Sequence, residues 1–309
     1  MFSNLIPLIM ITLGYPGMNM TLTEQNIRTS RGIKKATWNK HGIEKASEVA
    51  LLNVKDLLTI VKWNTKNNIN FFRMSSMIFP WMSQYKFEDL PDFKEIENYL
   101  KLVGSWSIYN NQRLSFHPGQ FNCLGSPNEN VVKTTYLDLN QHSRIFDLMG
   151  LKPSTWNKIN IHVGGSYGDK KSALERWVDR FQGLDDNTKK RLTIENDDKA
   201  GGYNVEQLMP LAQQSDIPIV FDYHHHECYN DGLPEQEAFE LAYSTWKDGI
   251  IPALHKSSKR DIEKGSNPRP HHDFINEEFN NYNKPVYVML EAKQKELALF
   301  KYKKQFLKT

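Results

Sequence analysis

Lys158-Ile159-Asn160-Ile161-His162-Val163-Gly164-Gly165 is a short apolar run that ends on an imidazole and stops at two glycines. Alternation over so few residues predicts a strand from Lys158 to Val163, and the spacing from Ala173 to Gln182 predicts the helix that follows it. The same unit recurs on both sides. Upstream, Leu8 to Leu13 precedes a polar loop and an amphipathic stretch from Gly42 to Lys66. Ile69 to Met74 precedes Phe93 to Asn110, and Arg113 to Phe116 precedes a helix from Asn130 to Gly150. Downstream, Arg191 to Ile194 leads to Val205–Gln214, and Ile217 to Phe221 leads to Glu235–Trp246. Ile250 to Leu254 runs into a Lys/Ser/Arg-rich loop, and Val286 to Leu290 into a lysine-rich C-terminal helix. Eight strand-like runs alternating with helices predict an α/β fold, a TIM-type (β/α)8 barrel. A doubly wound open sheet gives a similar string, but no G-x-G-x-x-G follows the first run, and a nucleotide cofactor is not expected. No Pro/Ser/Gly-rich linker divides the chain, so 1–309 is expected to be a single domain.

Composition narrows the classes. Of the 309 residues 39% are apolar and 24% charged, which supplies a sizeable core and excludes wholesale disorder. A net charge of +3 permits contact with a polyanion without requiring it. Two cysteines, Cys123 and Cys228, cannot form a disulfide framework, and a reducing compartment is expected. The run from Leu5 to Leu13 falls well short of the about 20 apolar residues that cross a bilayer. It also lacks a basic segment before it and reads as a buried strand rather than a signal peptide, so an intracellular protein without membrane contact is expected.

The polar residues at the strand ends carry the functional signal. His117 closes the third run, His162 the fourth and Glu195 the fifth. Asp222 closes the sixth, with His225 three residues later, His255 the seventh and Glu291 the eighth; His271 and His272 lie in the loop after the seventh. In a barrel all of these ends open on one face, where barrel active sites lie. Each residue has a plainer alternative: a satisfied strand-end imidazole, an Asp222–His225 ion pair in a loop, Glu195 as a helix cap, or His224 to His226 as a solvated turn. Those alternatives would have to hold independently at every strand end. Carboxylates facing one another repel unless cations lie between them, and mixed imidazole and carboxylate donors suit transition metals. More donors are present than one ion needs, which predicts a cluster of two or three divalent ions.

These blocks, together with Leu13-Gly14-Tyr15, Met18-Asn19, Phe72-Arg73-Met74-Ser75-Ser76, His117-Pro118-Gly119-Gln120-Phe121, His255-Lys256-Ser257-Ser258 and Glu291-Ala292-Lys293-Gln294-Lys295, resemble the signature blocks of UV damage endonucleases. They occur in the family's order from about residue 13 to 299. The resemblance implies a metal-dependent DNA repair endonuclease on a β/α barrel. Such an enzyme nicks damaged double-stranded DNA immediately 5′ of cyclobutane pyrimidine dimers or 6-4 photoproducts, leaving a 3′-hydroxyl and a 5′-phosphate. It implies metal ligands at His117, His162, Glu195, Asp222, His225, His255, His271 and Glu291, with manganese the first candidate and zinc or magnesium next. Glu195, Glu291 and His255 are the expected catalytic residues, with the two glutamates bridging the ions. Gln120 and Phe121 match a pair inserted into the duplex, and Tyr15 and Asn19 match first-loop residues of the lesion pocket. Lys256 and Arg260 are expected to meet phosphates, with Lys259, Arg269, Lys293 and Lys295 near them, and a monomer is the expected working unit. The chain departs from the family at two places: Gln84 stands near a ligand histidine, and Ala253 where some members carry a lysine that can be carboxylated. An abasic-site endonuclease, a metal-dependent sugar isomerase and a damaged-DNA binder without catalysis are the alternatives.

Overall fold

The structure is a computed structural model that describes residues 10–260 and 267–307. Its elements are β1 (Ile11–Pro16), α1 (Met20–Thr23), α2 (Lys35–Lys66), β2 (Phe71–Arg73), α3 (Phe93–Tyr109), β3 (Arg113–Ser115), α4 (Glu129–Leu148) and β4 (Ile159–His162). They continue through α5 (Lys170–Phe181), α6 (Asp186–Lys189), β5 (Leu192–Glu195), α7 (Val205–Ser215), β6 (Ile219–Val220), α8 (Tyr223–Cys228), α9 (Glu235–Ser244), β7 (Ala253–Lys256), β8 (Val286–Leu290) and α10 (Lys295–Phe306).

All strand pairings are parallel, in one sheet ordered β3-β2-β1-β8-β7 and another ordered β4-β5-β6. Single parallel bridges join the sheets at both seams, Phe116 to Ile159 and Asp222 to His255. At the first seam Phe116 N donates to Lys158 O (2.9 Å) and Asn160 N to Phe116 O (3.0 Å); at the second His255 N donates to Phe221 O (3.0 Å). The expected TIM-type ring is therefore present, with neighbours in chain order all the way round.

Period-two alternation separates two apolar layers. Leu13, Phe72, Leu114, Ile161, Ile194 and Val288 join the large core beneath the helices. Phe71, Val220, Ala253, Tyr287 and Met289 form a smaller cluster with Trp246 in the barrel interior. Fully burying one such aliphatic side chain contributes roughly 1.5–3 kcal/mol. The floor of the interior is a cation: Arg113 is fully buried, and its guanidinium donates to Trp156 O (2.7 Å), Ile251 O (2.8 Å) and Thr155 O (2.9 Å). The rings of Phe71, Trp156, Trp246 and Tyr287 surround it at 4.9–5.5 Å.

Several boundaries differ from expectation. β1 runs on through Gly14-Tyr15-Pro16, where a loop was expected, because those residues pair in register with Phe71 to Arg73; the early part of the Leu5–Leu13 run lies outside the described residues. β7 extends to Lys256 because Lys256 pairs with Leu290. Helix α2 starts seven residues before Gly42, which has φ 53° and ψ −135° and kinks the helix. Buried positions begin only at Ala46, so the earlier turns carry no amphipathic signal to read. A φ of this sign with that ψ is open to glycine almost alone.

Candidate metal centre

Thr193 and Glu195 point inward from β5, and Glu195 lies at the middle of the upper interior, 1% exposed. Glu195 Oε1 is 3.1 Å from His255 Nδ1 and 3.3 Å from His225 Nδ1. Glu195 Oε2 is 3.0 Å from His117 Nε2 and accepts from Asn160 Nδ2, whose own oxygen accepts from Thr193 Oγ1 at 2.8 Å. Glu291, just past β8, has Oε1 3.1 Å from His255 Nδ1 and Oε2 3.9 Å from His271 Nδ1, and it pairs with Arg73 from the end of β2. His162 packs 5.4 Å from His117 and 5.3 Å from His225 between ring centroids. Ligand atoms of His117, His162 and Glu195, and of Glu195, Asp222 and His255, lie within 4.8 Å of one another.

The eight residues expected as ligands thus meet at one rim. Local structure explains two of the placements. Asp222 caps α8, its Oδ1 accepting from His225 N at 2.9 Å, which starts a helical turn and brings His225 back beside it. His224 and His226 are buried on other sides of that turn, His224 against Arg269 O (3.1 Å) and His226 against the Phe221 ring; the triplet is not a solvated turn. Gly164 has φ 102°, and a β-carbon there would come within 2.8 Å of Cys123 Sγ, so only glycine lets the loop after His162 pass the loop after His117.

Electrostatics make the cluster electron-rich. Burial alone would raise Glu195, but the imidazoles of His255 and His162 and the hydrogen bond to His117 outweigh it and hold the carboxyl well below its ordinary range. Burial is likewise overcome at Glu291 by Arg73 and His255. Burial pushes His117 down to about 4, whereas at His162 Glu195 and Asp197 overcome burial and raise the ring to about 9. Asp222 Oδ2 is fully buried and has no hydrogen-bond partner among the described residues. An orphaned carboxylate oxygen beside imidazole and carboxylate donors is what a divalent cation would satisfy, and the residues present fit one.

Four contributors were not singled out from the sequence. Asp197 Oδ1 lies 3.1 Å from His162 Nδ1 as a charge pair without hydrogen-bond geometry, and its other oxygen accepts from Tyr203 N (2.9 Å), which fixes the carboxylate behind the ring. Asn160 supports Glu195, and Arg73 supports Glu291. Lys158 is fully buried with Nζ 3.2 Å from His255 Nε2, and burial brings it down to about 7. The available signal was periodicity: Lys158, Asn160 and His162 share the inward face of one strand. Partners that orient metal-binding rings are worth about 10- to 100-fold in affinity. Asp197→Ala is accordingly expected to weaken manganese binding by about that factor in a calorimetric titration, with the fold retained; unchanged affinity would remove Asp197 from the centre.

The remaining expected residues divide. Gln120 and Phe121 are exposed at the tip of the loop after β3, Phe121 at 82%, and line a cleft of about 560 Å3 with His162, Asp197 and His225. Arg260 is exposed on the same face. Tyr15 and Asn19 require correction: both are fully buried, Tyr15 Oη donates to Asn64 Oδ1 (2.7 Å), and Asn19 donates to Tyr15 (2.9 Å) and caps α1. Tyr15 falls on the outward phase of β1 and packs against Phe72, so the pair braces the first loop and neither side chain is exposed on the cleft. Lys256 is corrected likewise, because it is outward on β7, buried and paired with Glu277 at 3.2 Å. Lys259 pairs with Glu227, and Arg269 lies 3.6 Å from Asp198. Gln84 is exposed, and its side-chain amide bonds only its neighbour Ser83 among the described residues, away from the cluster. Ala253 belongs to the apolar interior.

Known proteins resemble this arrangement. The family model described as UV-endonuclease UvdE matches residues 11–308. The UV DNA damage endonuclease of Clostridium perfringens (strain 13 / Type A) is 32% identical over 294 residues, covering 92% of this chain and 69% of that protein. The crystal structure of SacUVDE superimposes with a TM-score of 0.82 at 32% identity, covering 97% of this chain and 100% of that one. Endonuclease IV from Thermus thermophilus shares the fold, with a TM-score of 0.55 at 12% identity, covering 80% of this chain and 93% of that one. With the whole barrel matched and the strand-end imidazoles and carboxylates gathered on its rim, this chain belongs to the UV-endonuclease UvdE family of DNA repair nucleases.

Proposed function

We propose that the protein nicks damaged duplex DNA immediately 5′ of cyclobutane pyrimidine dimers and 6-4 photoproducts, leaving a 3′-hydroxyl and a 5′-phosphate. The observation that carries this reading is the juxtaposition of the carboxylate–imidazole cluster with the exposed Gln120–Phe121 tip on one cleft. Two or three divalent ions, manganese first, would be held by His117, His162, Glu195, Asp222, His225, His255, His271 and Glu291. Bound there, such ions supply cationic stabilisation of a phosphoryl transition state and lower the pKa of water towards neutrality.

The chain's own residues do the rest. Glu195 and Glu291 each bring a carboxylate oxygen to within 3.1 Å of the same His255 nitrogen, Nδ1, and Arg73 orients Glu291. Asp197 backs the His162 ring and Asn160 fixes Glu195. At a photoproduct, stacking and pairing are weakened, so opening the duplex costs less than elsewhere. Phe121 fills the gap as a planar wedge, and Gln120 hydrogen-bonds the exposed base edge. The protein acts as a monomer inside the cell, on DNA and without a nucleotide cofactor; no helix among the described residues is long and apolar enough to cross a membrane.

The test incubates manganese-loaded protein with UV-irradiated, abasic and intact duplexes, with and without chelator. Cutting of irradiated DNA that chelator abolishes is expected; cutting of abasic DNA alone would move the assignment to an abasic-site enzyme. In the same assay the Gln120→Ala/Phe121→Ala variant should lose about tenfold or more in preference for irradiated over intact duplex, in keeping with the roughly 1–3 kcal/mol of one stacked base. Its metal content should stay unchanged. Full discrimination in that variant would show that the wedge is misassigned.

A further inference from the structure

We infer that the recess between the ends of β1, β2 and β8 seats one backbone phosphate of the bound strand, with Lys295 as the cation that holds it. The inference rests on the proposed cutting of DNA at this rim. The recess has a volume of about 90 Å3 and is walled by Pro16, Arg73, His271, Glu291, Lys293 and Lys295. That is room for a few waters or one anion of phosphate size.

Its charge selects an anion. Three cationic side chains face one carboxylate, and that carboxylate is already engaged by Arg73 and His255. Lys293 is exposed and has Asp273 3.7 Å away. Lys295 differs from it: the side chain is partly buried against the recess and has no hydrogen-bond or ion-pair partner among the described residues. Glu291 and Glu296 act on it only through space, neither pairing directly with its Nζ, so this partly desolvated ammonium keeps its hydrogen bonds for a phosphate oxygen.

The backbone around it is pinned. Lys295 has φ 49°, a left-handed conformation unfavourable for a residue with a β-carbon, and its N–H closes a turn onto Ala292 O at 3.3 Å. The next residue, Glu296, is fully buried and accepts from Met20 N (2.8 Å), Thr21 N (2.7 Å) and Thr21 Oγ1 (2.9 Å), which ties the start of α10 to the first loop. On the opposite wall Gly17 N donates to Arg73 O at 2.7 Å. Lys295 therefore leaves a rigid turn beside the cluster, and ordering it on a ligand costs less than ordering a free surface lysine.

The test uses manganese-loaded wild type, Lys295→Met and Lys295→Arg with a duplex carrying one photoproduct and a single neutral methylphosphonate moved along the phosphates flanking the nick. Both cutting and equilibrium binding are measured, so the result can be read in binding even if the proposed cleavage fails. Wild type should lose about 10- to 100-fold at one particular phosphate, the worth of one hydrogen bond to a charged group. Lys295→Met should show a comparable loss on unmodified DNA and no further loss at that phosphate, while losses at other phosphates persist. Its log–log salt slope should be smaller by about one. Lys295→Arg should restore part of the affinity. If Lys295→Met, folded by its melting curve, binds unmodified DNA normally, or loses equally at every phosphate, the seat is not where Lys295 places it.

Discussion

Glu195→Gln is expected to lower cutting of UV-irradiated duplex by about a thousandfold or more, with helix and strand content unchanged by circular dichroism. The size follows from position. Glu195 is in contact with His117, His225 and His255 together, and its carboxylate shares the interior with Asp222 and Glu291. Gln keeps the volume and removes the charge, so the surrounding imidazoles lose the anion that organises them. The Gln oxygen can still accept from Asn160, but the amide nitrogen then replaces the carboxylate oxygen beside His225 and His255. Bound manganese, measured by atomic emission after gel filtration, should fall together with turnover. Near-normal turnover with full metal content would show that the cluster does not centre on Glu195.

Arg113→Met is expected to destabilise the protein by at least about 3 kcal/mol, because three buried carbonyls lose their donor and each such loss costs roughly 1–3 kcal/mol. The charge has no carboxylate partner among the groups it touches; it is held by the carbonyls of Thr155, Trp156 and Ile251 and by four aromatic faces. The carbonyls lie before β4 and β7, so the guanidinium ties three strand starts together at the end of the barrel opposite the metal centre. Urea unfolding monitored by tryptophan fluorescence should show the lower midpoint, and metal-loaded variant that remains folded should still cut. An unfolding free energy within about 0.5 kcal/mol of wild type, on the order of an ordinary surface substitution, would mean that water replaces the side chain.

Much of the centre was legible before any coordinates. Short strand-like runs with His, Glu or Asp at or just past their ends announce themselves by period two and by the glycines and polar residues that follow, and a barrel sends every such end to one face. That inference groups His117, His162, Glu195, Asp222, His255 and Glu291, whereas it is the resemblance to UV damage endonucleases that singles out His225 and His271 from the histidines beside them. Gln120 and Phe121 were named by the resemblance alone, since nothing in their spacing separates a wedge from an ordinary apolar residue at the barrel mouth. The orientation of Tyr15 was not legible: β1 runs three residues past its expected end at Leu13, which keeps Tyr15 in phase with Leu13 and turns its ring towards the helices. Lys256 was misread for the same reason, lying one position beyond the inward-facing His255.

What the chain's order of residues determined by itself was the ring of eight parallel strands and the face on which their polar ends meet, because both follow from local periodicity and right-handed β/α connection. Only the tertiary structure decided which groups stand behind those ends. Asp197 behind His162, Arg73 beside Glu291, Lys158 against His255 and Arg113 under the whole interior are contacts between strands remote in sequence. Nothing in a side chain's own neighbourhood along the chain encodes them. They arise when closure of the barrel brings inward positions of different strands to the same height, where desolvation leaves each polar atom only those partners that the packing supplies.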